Sequence, residues 1–234
     1  MKIAVIPARG GSKRIPRKNL RAFAGKPMIA YSIQAAIASN CFDDILVSTD
    51  DREIAELSRS LGASVPFDRP ADLADDYATT TQVIAHAVQW LTADRGDPEA
   101  VCCIYATAPF IDAADIVTGA KVLLEGRWDF AFSAVPFSYP IQRGFQLDVD
   151  GRVAMIFPEH FKTRSQDLPK VWHDAGQFYW GTANAWLSGK PLFSDTSTVV
   201  PLPEWRVQDI DTPDDWVQAE LRYRLLQERD PIHE

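Results

Sequence analysis

Short apolar runs alternate with stretches of helical character along the first 135 residues. Nearly continuous apolar runs occupy 3–6, 44–50, 101–109 and 129–135, and a weaker one occupies 63–67. Such runs are typical of strands covered on both faces of a parallel sheet, and we expect the strongest, 101–109, at its centre. Segments with helical signals separate these runs, at 26–37, 50–62, 83–91 and after Asp112. The alternation predicts an α/β fold with a doubly wound, mostly parallel sheet.

Capping residues predict where several helices begin. The helix after the 44–50 strand starts with a capping-box pattern, Asp50-x-x-Glu53, and the helix after the central strand starts at Asp112. Before the last helix, Thr212 fits the N-cap and Pro213 the first helical position. A final strand is predicted just before that helix, at 206–211, after another at 198–202.

Apolar periodicity predicts which helix faces are buried. The helix at 83–91 carries its apolar residues on one face, and His86 falls on the polar side that we expect to face solvent. The last helix carries an apolar stripe that we expect to face the core, formed by Val217, Leu221 and Leu225.

The pattern changes between 136 and 182. Prolines, many aromatic residues and a turn around Gly151 replace the helical periodicity, which predicts a small antiparallel insertion in an otherwise single domain spanning 1–234. The insertion holds more aromatic residues than so small an element can bury alone: Phe137, Tyr139, Phe145, Phe157 and Phe161. We expect it to bind substrate and form a subunit interface, although packing against its own domain explains the aromatics nearly as well.

Composition excludes several classes of protein. The formal net charge of −8 argues against a nucleic-acid partner, since such proteins present an extended basic face. No apolar run approaches the roughly 20 residues of a membrane helix, so no membrane partner is expected. Three cysteines, two of them adjacent in an apolar run, make no disulfide framework and favour a cytoplasmic location.

A glycine-containing cationic loop follows the first strand. Six of the 24 Lys and Arg residues lie between Arg9 and Arg21, which leaves 18 cations against 32 anions elsewhere. The spacing is neither a Walker A loop nor Gly-x-Gly-x-x-Gly. A cationic loop at the carboxyl end of a first strand favours a triphosphate site, with a solvated basic loop as the alternative. Its surplus cations, Arg14, Arg17 and Arg21, are expected to face solvent.

Asp209 and Asp211 are candidate metal ligands. In an extended segment both carboxylates point to one face and Ile210 to the buried one. Two carboxylates opposite a phosphate loop suit Mg²⁺, which takes its remaining ligands from phosphate and water. The alternative is that Asp211 only caps the last helix.

A polar strand face is predicted near 173–181. In a regular strand His173, Ala175, Gln177 and Tyr179 share one face, which suits a polar sugar. Arg164 could hold a carboxylate in a bidentate grip. An aromatic strand with a core histidine explains the same spacing equally well. No Ser-His-Asp arrangement or Cys/His metal cluster is present in the sequence.

These motifs resemble the acylneuraminate (CMP-sialic acid) cytidylyltransferase family. The resemblance rests on Ile-Pro-Ala-Arg-Gly-Gly-Ser-Lys-Arg at 6–14 and on Gly25-Lys-Pro-Met, and it runs nearly end to end. Arg-Ser-Gln-Asp-Leu-Pro at 164–169 and His-Asp-Ala-Gly-Gln-Phe-Tyr-Trp-Gly at 173–181 are most similar to the pseudaminic acid members. The sialic acid members typically show Asn-Gly where this chain has Asp174-Ala-Gly176, which directs the expectation away from N-acetylneuraminic acid.

The resemblance implies that CMP passes from CTP to a nine-carbon 2-keto sugar acid, with release of pyrophosphate, in a homodimer that uses Mg²⁺ or Mn²⁺. It assigns the triphosphate to Arg9, Gly10, Gly11, Ser12, Lys13 and Lys18. It places Asn19, Arg69 and Thr80 near cytosine and ribose. It assigns the metal to Asp209 and Asp211, and the sugar to Arg164, Gln166, His173, Gln177 and Tyr179. The residues it implies in catalysis are Arg9, Lys18 and Asp211.

Two other functions share parts of this pattern. A sugar-1-phosphate nucleotidyltransferase has a related loop but needs a second basic cluster for its phosphate acceptor. A non-catalytic sugar-nucleotide binding protein needs no carboxylate pair such as Asp209 and Asp211.

Overall fold

The computed structural model describes residues 1–228 as alternating strands and helices. The strands are β1 (Lys2–Pro7), β2 (Ala22–Phe23), β3 (Lys26–Pro27), β4 (Asp44–Ser48), β5 (Ala100–Ile104), β6 (Phe130–Pro136), β7 (Phe145–Leu147), β8 (Val153–Met155), β9 (Trp172–Thr182) and β10 (Ser197–Pro201). The α-helices are α1 (Met28–Ser39), α2 (Arg52–Ser60), α3 (Thr80–Arg95), α4 (Ala113–Glu125), α5 (Ala183–Leu187) and α6 (Pro213–Glu228). No helix in this described part of the chain is long and apolar enough to cross a membrane.

Six strands form the main sheet, in the order β10-β6-β9-β5-β1-β4. β1 lies parallel to β4 and β5, and β10 lies parallel to β6. β9 runs antiparallel between β5 and β6. The fully buried β5 lies inside the sheet, as its apolar run predicts.

Both faces of the sheet are covered by helices. Ile33 of α1, Ile54 of α2 and Ile116 of α4 pack on one face. Val88 of α3 and Trp186 of α5 pack on the other. The doubly wound, mostly parallel α/β fold predicted from the sequence is therefore confirmed.

Two of the short strands predicted from apolar runs are absent. Residues 63–67 make a single isolated bridge, between Leu46 and Ser64, and form no strand. Arg206 ends a 3-10 helix at Glu204–Arg206, and residues 207–211 after it join no sheet. Without a hydrogen-bonded neighbour along its length, an extended segment does not become a strand.

Side-chain caps start several of the helices, with one position shifted from the prediction. Asp112 accepts a hydrogen bond from the Ala114 amide, as expected. The cap of α2 is Asp51 rather than Asp50, because Asp51 accepts from the Ile54 amide at 3.0 Å. The Asp50 carboxylate is thereby left to bond elsewhere.

The buried face of α6 differs from the predicted one. Val217, Leu221 and Leu225 are 56%, 55% and 64% exposed, whereas Trp216 and Ala219 are buried. The large indole of Trp216 packs edge-on against Phe23 at 5.5 Å between ring centroids. Trp216 and Ala219 belong to one buried cluster with Phe23, and the packing of this cluster fixes the rotation of the helix.

The antiparallel insertion is shorter than predicted. Residues 137–171, which we name the arm, contain the β7–β8 hairpin, and its turn is closed by the Gly151 amide on the Asp148 carbonyl at 3.0 Å. Residues 172–182 belong instead to β9, inside the main sheet. Aromatic side chains of the arm are exposed, Tyr139 at 84% and Phe161 at 68%.

Candidate active site

A cleft of about 530 Å³ lies beyond the carboxyl ends of β1 and β5. This edge is where open α/β sheets bind their ligands. The cleft is lined by seven of the nine residues predicted to bind the nucleotide, together with Asp211: Arg9, Ser12, Lys13, Lys18, Asn19, Arg69 and Thr80. The remaining two, Gly10 and Gly11, belong to the same loop but do not line it.

Close packing on α2 explains the first glycine of the loop. The Gly10 amide donates to Oδ1 of Asp50 at 3.0 Å, and a Cβ at this position would lie 2.6 Å from Oδ2 of Asp51. A Cβ on Gly11 would meet no atom within 4 Å. The first glycine is therefore required by packing, whereas the second leaves open space beside the loop.

The three surplus cations of the loop do not simply face solvent. Arg17, which has a φ of 57°, pairs with Asp51 at 2.9 Å and Glu53 at 2.7 Å. Arg14 pairs with Asp211 at 2.8 Å, and Arg21 lies over the Trp216 ring at 4.6 Å. All three side chains are exposed, as expected, and each also makes a contact that fastens the loop to its neighbours.

Lys18 and Asn19 connect the loop to other parts of the cleft. The Lys18 ammonium donates to the carbonyl of Ile210 and lies 3.4 Å from Oδ1 of Asp211. The side-chain amide of the buried Asn19 donates to the carbonyl of Arg9 at 3.0 Å, and the backbone carbonyl of Asn19 accepts from the Ile29 amide. Asn19 thus shapes the loop from inside.

Arg9 and Lys13 both contact an acidic residue across the cleft. Arg9 donates to Oδ1 of Asp76 at 2.7 Å and to the carbonyl of Asp75 at 2.9 Å. Lys13 pairs with the other oxygen of Asp76. These contacts lower the pKa of Asp76, with Lys13 as the larger cause. Asp76 could not be predicted from the sequence, because the residues next to it do not show which distant cations its carboxylate will contact.

Arg69 is a buried cation at the back of the cleft. It is 7% exposed, and its guanidinium donates to the hydroxyl and the carbonyl of Ser48. Burial lowers the pKa of Arg69 to about 10, so the side chain stays charged at neutral pH. No carboxylate within the described residues forms an ion pair with it, and a buried charge in this position favours an anionic or strongly polar ligand.

Two tyrosines in ring contact extend from the cleft into the sheet. The Tyr105 hydroxyl, at the cleft wall, lies 3.4 Å from Oγ1 of Thr80, and its ring packs on Tyr179 at 5.1 Å. The Tyr179 hydroxyl donates to the Asp174 carboxylate. Burial raises the pKa of both tyrosines, so they remain neutral donors. Tyr179 therefore stands behind the cleft wall, and sequence reasoning missed Tyr105 and Asp174.

A bulge in β9 breaks the predicted sugar-facing surface. Gly176 has a φ of 63°, and its amide bonds to Asp174 Oδ1 at 2.8 Å. Ala175, before this glycine, and Phe178, after it, pack on one face of the sheet, while Tyr179 packs on the other. The prediction that Ala175 and Tyr179 share a face is wrong because this bulge shifts the alternation.

The other predicted sugar ligands are spread over different places. Gln177 is buried and donates to the Arg206 carbonyl at 2.6 Å. His173 lines a second cleft of about 520 Å³ together with Asp209. Arg164 and Gln166 lie exposed on the arm, where Arg164 pairs with Asp167 at 2.7 Å. Neither arm residue lines the two clefts.

The carboxylate pair lies between the two clefts. Ile210 is buried, as the alternation predicts, while Asp211 lines the first cleft and Asp209 the second. Desolvation and then the neighbouring Asp211 charge raise the pKa of Asp209. Such mutual repulsion fits a bound cation. The helix cap is made by Thr212 and Asp215, so capping does not account for Asp211.

Across residues 1–228, no group of three or more acidic, histidine or cysteine side chains could hold a metal by itself. A cation at Asp209 and Asp211 would therefore take further ligands from phosphate and water, which is the usual arrangement for Mg²⁺.

His86 is less exposed than its helical position predicts. Its ring packs edge-on against Phe67 at 4.9 Å, and its Nδ1 is buried with no hydrogen-bond partner among the described residues. Desolvation, followed by the Arg69 charge, lowers the pKa of His86. The prediction of a solvent-facing side chain is wrong because the ring of Phe67 packs against this side of α3.

A cation-lined cleft at the carboxyl edge of a doubly wound sheet, with a carboxylate pair beside it, defines a nucleotidyltransferase of the α/β class. The chain belongs to the cytidylyltransferase family, whose model matches residues 3–206. The family resemblance seen in the sequence is confirmed.

Individual relatives are similar over nearly the whole chain. A pseudaminic acid cytidylyltransferase of Campylobacter jejuni is 45% identical over 226 residues, covering 97% of each chain. A CMP-N,N'-diacetyllegionaminic acid synthase of Legionella pneumophila is 34% identical, also over 97% of each. The solved structure of a CMP:2-keto-3-deoxy-manno-octonic acid synthetase complexed with CTP matches with a TM-score of 0.68 and 17% identity, covering 97% of this chain and 99% of that one. At that identity the likeness concerns the fold.

Proposed function

We propose that the protein transfers CMP from CTP to the anomeric hydroxyl of a nonulosonic acid, with pseudaminic acid as the acceptor, and releases pyrophosphate. The observation that carries the proposal is the convergence of Arg9, Lys18, Arg69 and Asp211 on one cleft of a cytidylyltransferase fold. The identity of 45% with a pseudaminic acid cytidylyltransferase supports the choice of acceptor.

The nucleotide would lie along the cleft with its phosphates on the first loop. Arg9, Lys13 and Lys18 supply positive charge, and Ser12 a hydroxyl donor at the same wall. Gly11 leaves the loop open on one side. Cytosine and ribose would lie toward Arg69 and Thr80, where a buried guanidinium and a hydroxyl offer hydrogen bonds.

The reaction needs positioning and fixed positive charge more than a covalent intermediate. The anomeric oxygen attacks the α-phosphorus and gives up its proton to water, and the bond between the α-phosphorus and the oxygen that bridges it to the β-phosphorus breaks. The electron pair of that bond leaves with pyrophosphate. Cations held before the reaction begins stabilise this charge without reorganisation, and we assign that role to Arg9 and Lys18.

Asp209 and Asp211 fit a divalent cation, Mg²⁺ or Mn²⁺. When bound, this ion would neutralise phosphate charge and acidify the attacking hydroxyl. Lys18 and Arg14 hold the Asp211 carboxylate in place from the loop side. The segment that carries both carboxylates is thereby fixed to the phosphate loop.

The acceptor would lie on the Asp209 side of the carboxylate pair. His173 lines this second cleft, whereas Tyr179 and Gln177 are buried and line neither cleft. Arg164 and Gln166 are on the arm of the same chain but line neither cleft. We therefore propose a homodimer in which the arm of one protomer brings these two residues to the site of its partner.

Release of pyrophosphate tests the reaction and the acceptor together. The purified protein is incubated with CTP, Mg²⁺ and one acid at a time: pseudaminic, legionaminic or N-acetylneuraminic acid. We expect the highest kcat/KM with pseudaminic acid. A preference for another acid would overturn the acceptor but keep the reaction, whereas no release with any acid would overturn the reaction.

A further inference from the structure

Asp76 lies where a phosphate group of the substrate would need to bind. Its two carboxylate oxygens contact the guanidinium of Arg9 and the ammonium of Lys13, so one acidic side chain engages both cations. A phosphate oxygen placed between these two groups would require the same donors. A carboxylate and a phosphate cannot share them, because two anions about 4 Å apart repel each other.

The remaining cations of the cleft already have partners. Lys18 is held by Ile210 and Asp211, and Arg14 by Asp211. Arg69 lies at the back and donates to Ser48. Arg9 and Lys13 are therefore the cations whose only ionic partner among the described residues is Asp76.

The segment that carries Asp76 is loosely attached to the body of the protein. Residues 74–79 form no helix or strand, and Tyr77 is 90% exposed. The turn is closed by its own side chain, since Asp75 Oδ1 accepts from the Tyr77 amide at 2.9 Å and the Ala78 amide at 2.8 Å. Few buried contacts hold such a segment, so moving it costs little free energy.

We propose that Asp76 is an internal competitor for the triphosphate, which leaves Arg9 and Lys13 when CTP binds and returns to them as pyrophosphate departs. The proposal rests on the function proposed above and adds a residue that sets nucleotide affinity. It implies that the site selects nucleotides by the charge of their phosphate groups. A triphosphate can replace the carboxylate at both cations, whereas the single phosphate of CMP has less charge with which to do so.

The test compares two neighbouring Asp to Asn variants that lose the same charge. Asp76→Asn removes the competitor, and Asp75→Asn keeps the side-chain oxygen that closes the turn. Calorimetric titrations use CTP, CMP and inorganic tripolyphosphate. We expect Asp76→Asn to bind CTP and tripolyphosphate about three- to tenfold more tightly than wild type, and CMP within about twofold. Asp75→Asn should bind all three within about twofold of wild type.

Two further measurements separate competition from a structural effect. Asp76→Glu keeps the charge and should keep the weaker affinity, and the gain in Asp76→Asn should shrink as salt is added. Equal or weaker binding of CTP by Asp76→Asn would overturn the proposal, as would an equal gain for CTP and CMP. If wild type binds tripolyphosphate but not CTP, the proposed function fails while the competition is still tested by tripolyphosphate.

Discussion

The ammonium of Lys18 lies 3.4 Å from the carboxylate of Asp211, across 193 residues of sequence. The same ammonium donates to the carbonyl of Ile210. A residue of the first loop therefore fixes the segment that precedes the last helix. This contact joins the proposed triphosphate site to the proposed metal site, so changes at either residue should affect both binding and turnover.

Replacing Lys18 should affect catalysis far more than replacing its neighbour Arg14. We expect Lys18→Ala to lower kcat by at least about 100-fold, because one preorganised charge-stabilising donor is typically worth about 3–4 kcal/mol of barrier. Arg14 contacts the same Asp211, but its side chain is 67% exposed, so Arg14→Ala should cost about tenfold or less. Steady-state kinetics of pyrophosphate release, with circular dichroism to verify folding, provide the measurement. Near-normal turnover of folded Lys18→Ala would exclude it from the mechanism.

Replacing the carboxylate pair should change the response to Mg²⁺. Asp211→Asn should lower kcat by at least about 100-fold and raise the Mg²⁺ concentration needed for half-maximal rate. In the presence of a chelator, Asp209→Asn should be more stable than wild type by up to about 1 kcal/mol, because one of two repelling charges is removed. The increase in melting temperature that Mg²⁺ causes should be smaller in this variant than in wild type. The exposed Asp214→Asn, at the start of α6, is the control. If Asp209→Asn and Asp211→Asn both respond to Mg²⁺ as wild type does, these two carboxylates are not the metal ligands.

Features fixed by neighbouring residues in the chain were predicted well. β1, β5 and β6 follow from apolar runs that no competing pattern interrupts. The charge of the loop after β1 predicts an anion site, and five of the seven loop residues assigned to the nucleotide line the cleft, while anion binding itself stays a prediction. The cap at Asp112 and the turn around Gly151 also follow from local chemistry.

Features fixed by distant contacts were not predicted. The rotation of α6 depends on Trp216 reaching Phe23, and the face of β9 depends on the bulge at Gly176. The partners of Arg17 lie at the start of α2 and those of Asp76 on the loop after β1, and only the fold brings these segments together. A sequence shows that such residues are charged or apolar, but long-range packing decides which groups they meet.

Replacing Gly10 should lower stability, whereas replacing Gly11 should weaken the binding of CTP. Gly10→Ala places a methyl group 2.6 Å from Asp51 Oδ2, so we expect a loss of about 1–3 kcal/mol in the free energy of unfolding. Gly11→Ala meets no atom within 4 Å, so its stability should stay within about 0.5 kcal/mol of wild type while KM for CTP rises. Urea denaturation and kinetics measure the two effects. Equal losses of stability would contradict this division.

The partly buried His86 should make the protein less stable in acid. Desolvation and the charge of Arg69 lower the pKa of His86 in the folded state. The unfolded chain then binds more protons than the folded one, so stability falls as the pH drops below the ordinary value of 6.5. Urea unfolding between pH 7 and 5 should therefore show a smaller loss in His86→Gln than in wild type. His160→Gln, on the arm, controls for loss of an imidazole elsewhere. If the free energy of unfolding of His86→Gln falls with pH as steeply as that of wild type, His86 is not the cause of the loss in acid.

The exposed aromatic residues of the arm should hold two protomers together. Phe161 is 68% exposed, and Phe161→Asp places a charge where we propose that an apolar contact forms in the dimer. Light scattering coupled to gel filtration should show wild type as a dimer and the variant as a monomer. The Leu225→Asp variant on α6, 64% exposed before the change, is a matched control that should leave the mass unchanged. A monomeric wild type would exclude the dimer.

Mixing two inactive variants tests whether Arg164 acts on the partner's site. In a mixed dimer of Arg164→Ala and Lys18→Ala, one site keeps its own Lys18 and receives Arg164 from the other protomer, while the second site lacks both. Random exchange makes half of the dimers mixed, so the mixture should recover about a quarter of wild-type activity. Each variant alone should stay nearly inactive. If Arg164 instead serves the site of its own chain, every site in the mixture lacks one of the two residues, and mixing restores nothing.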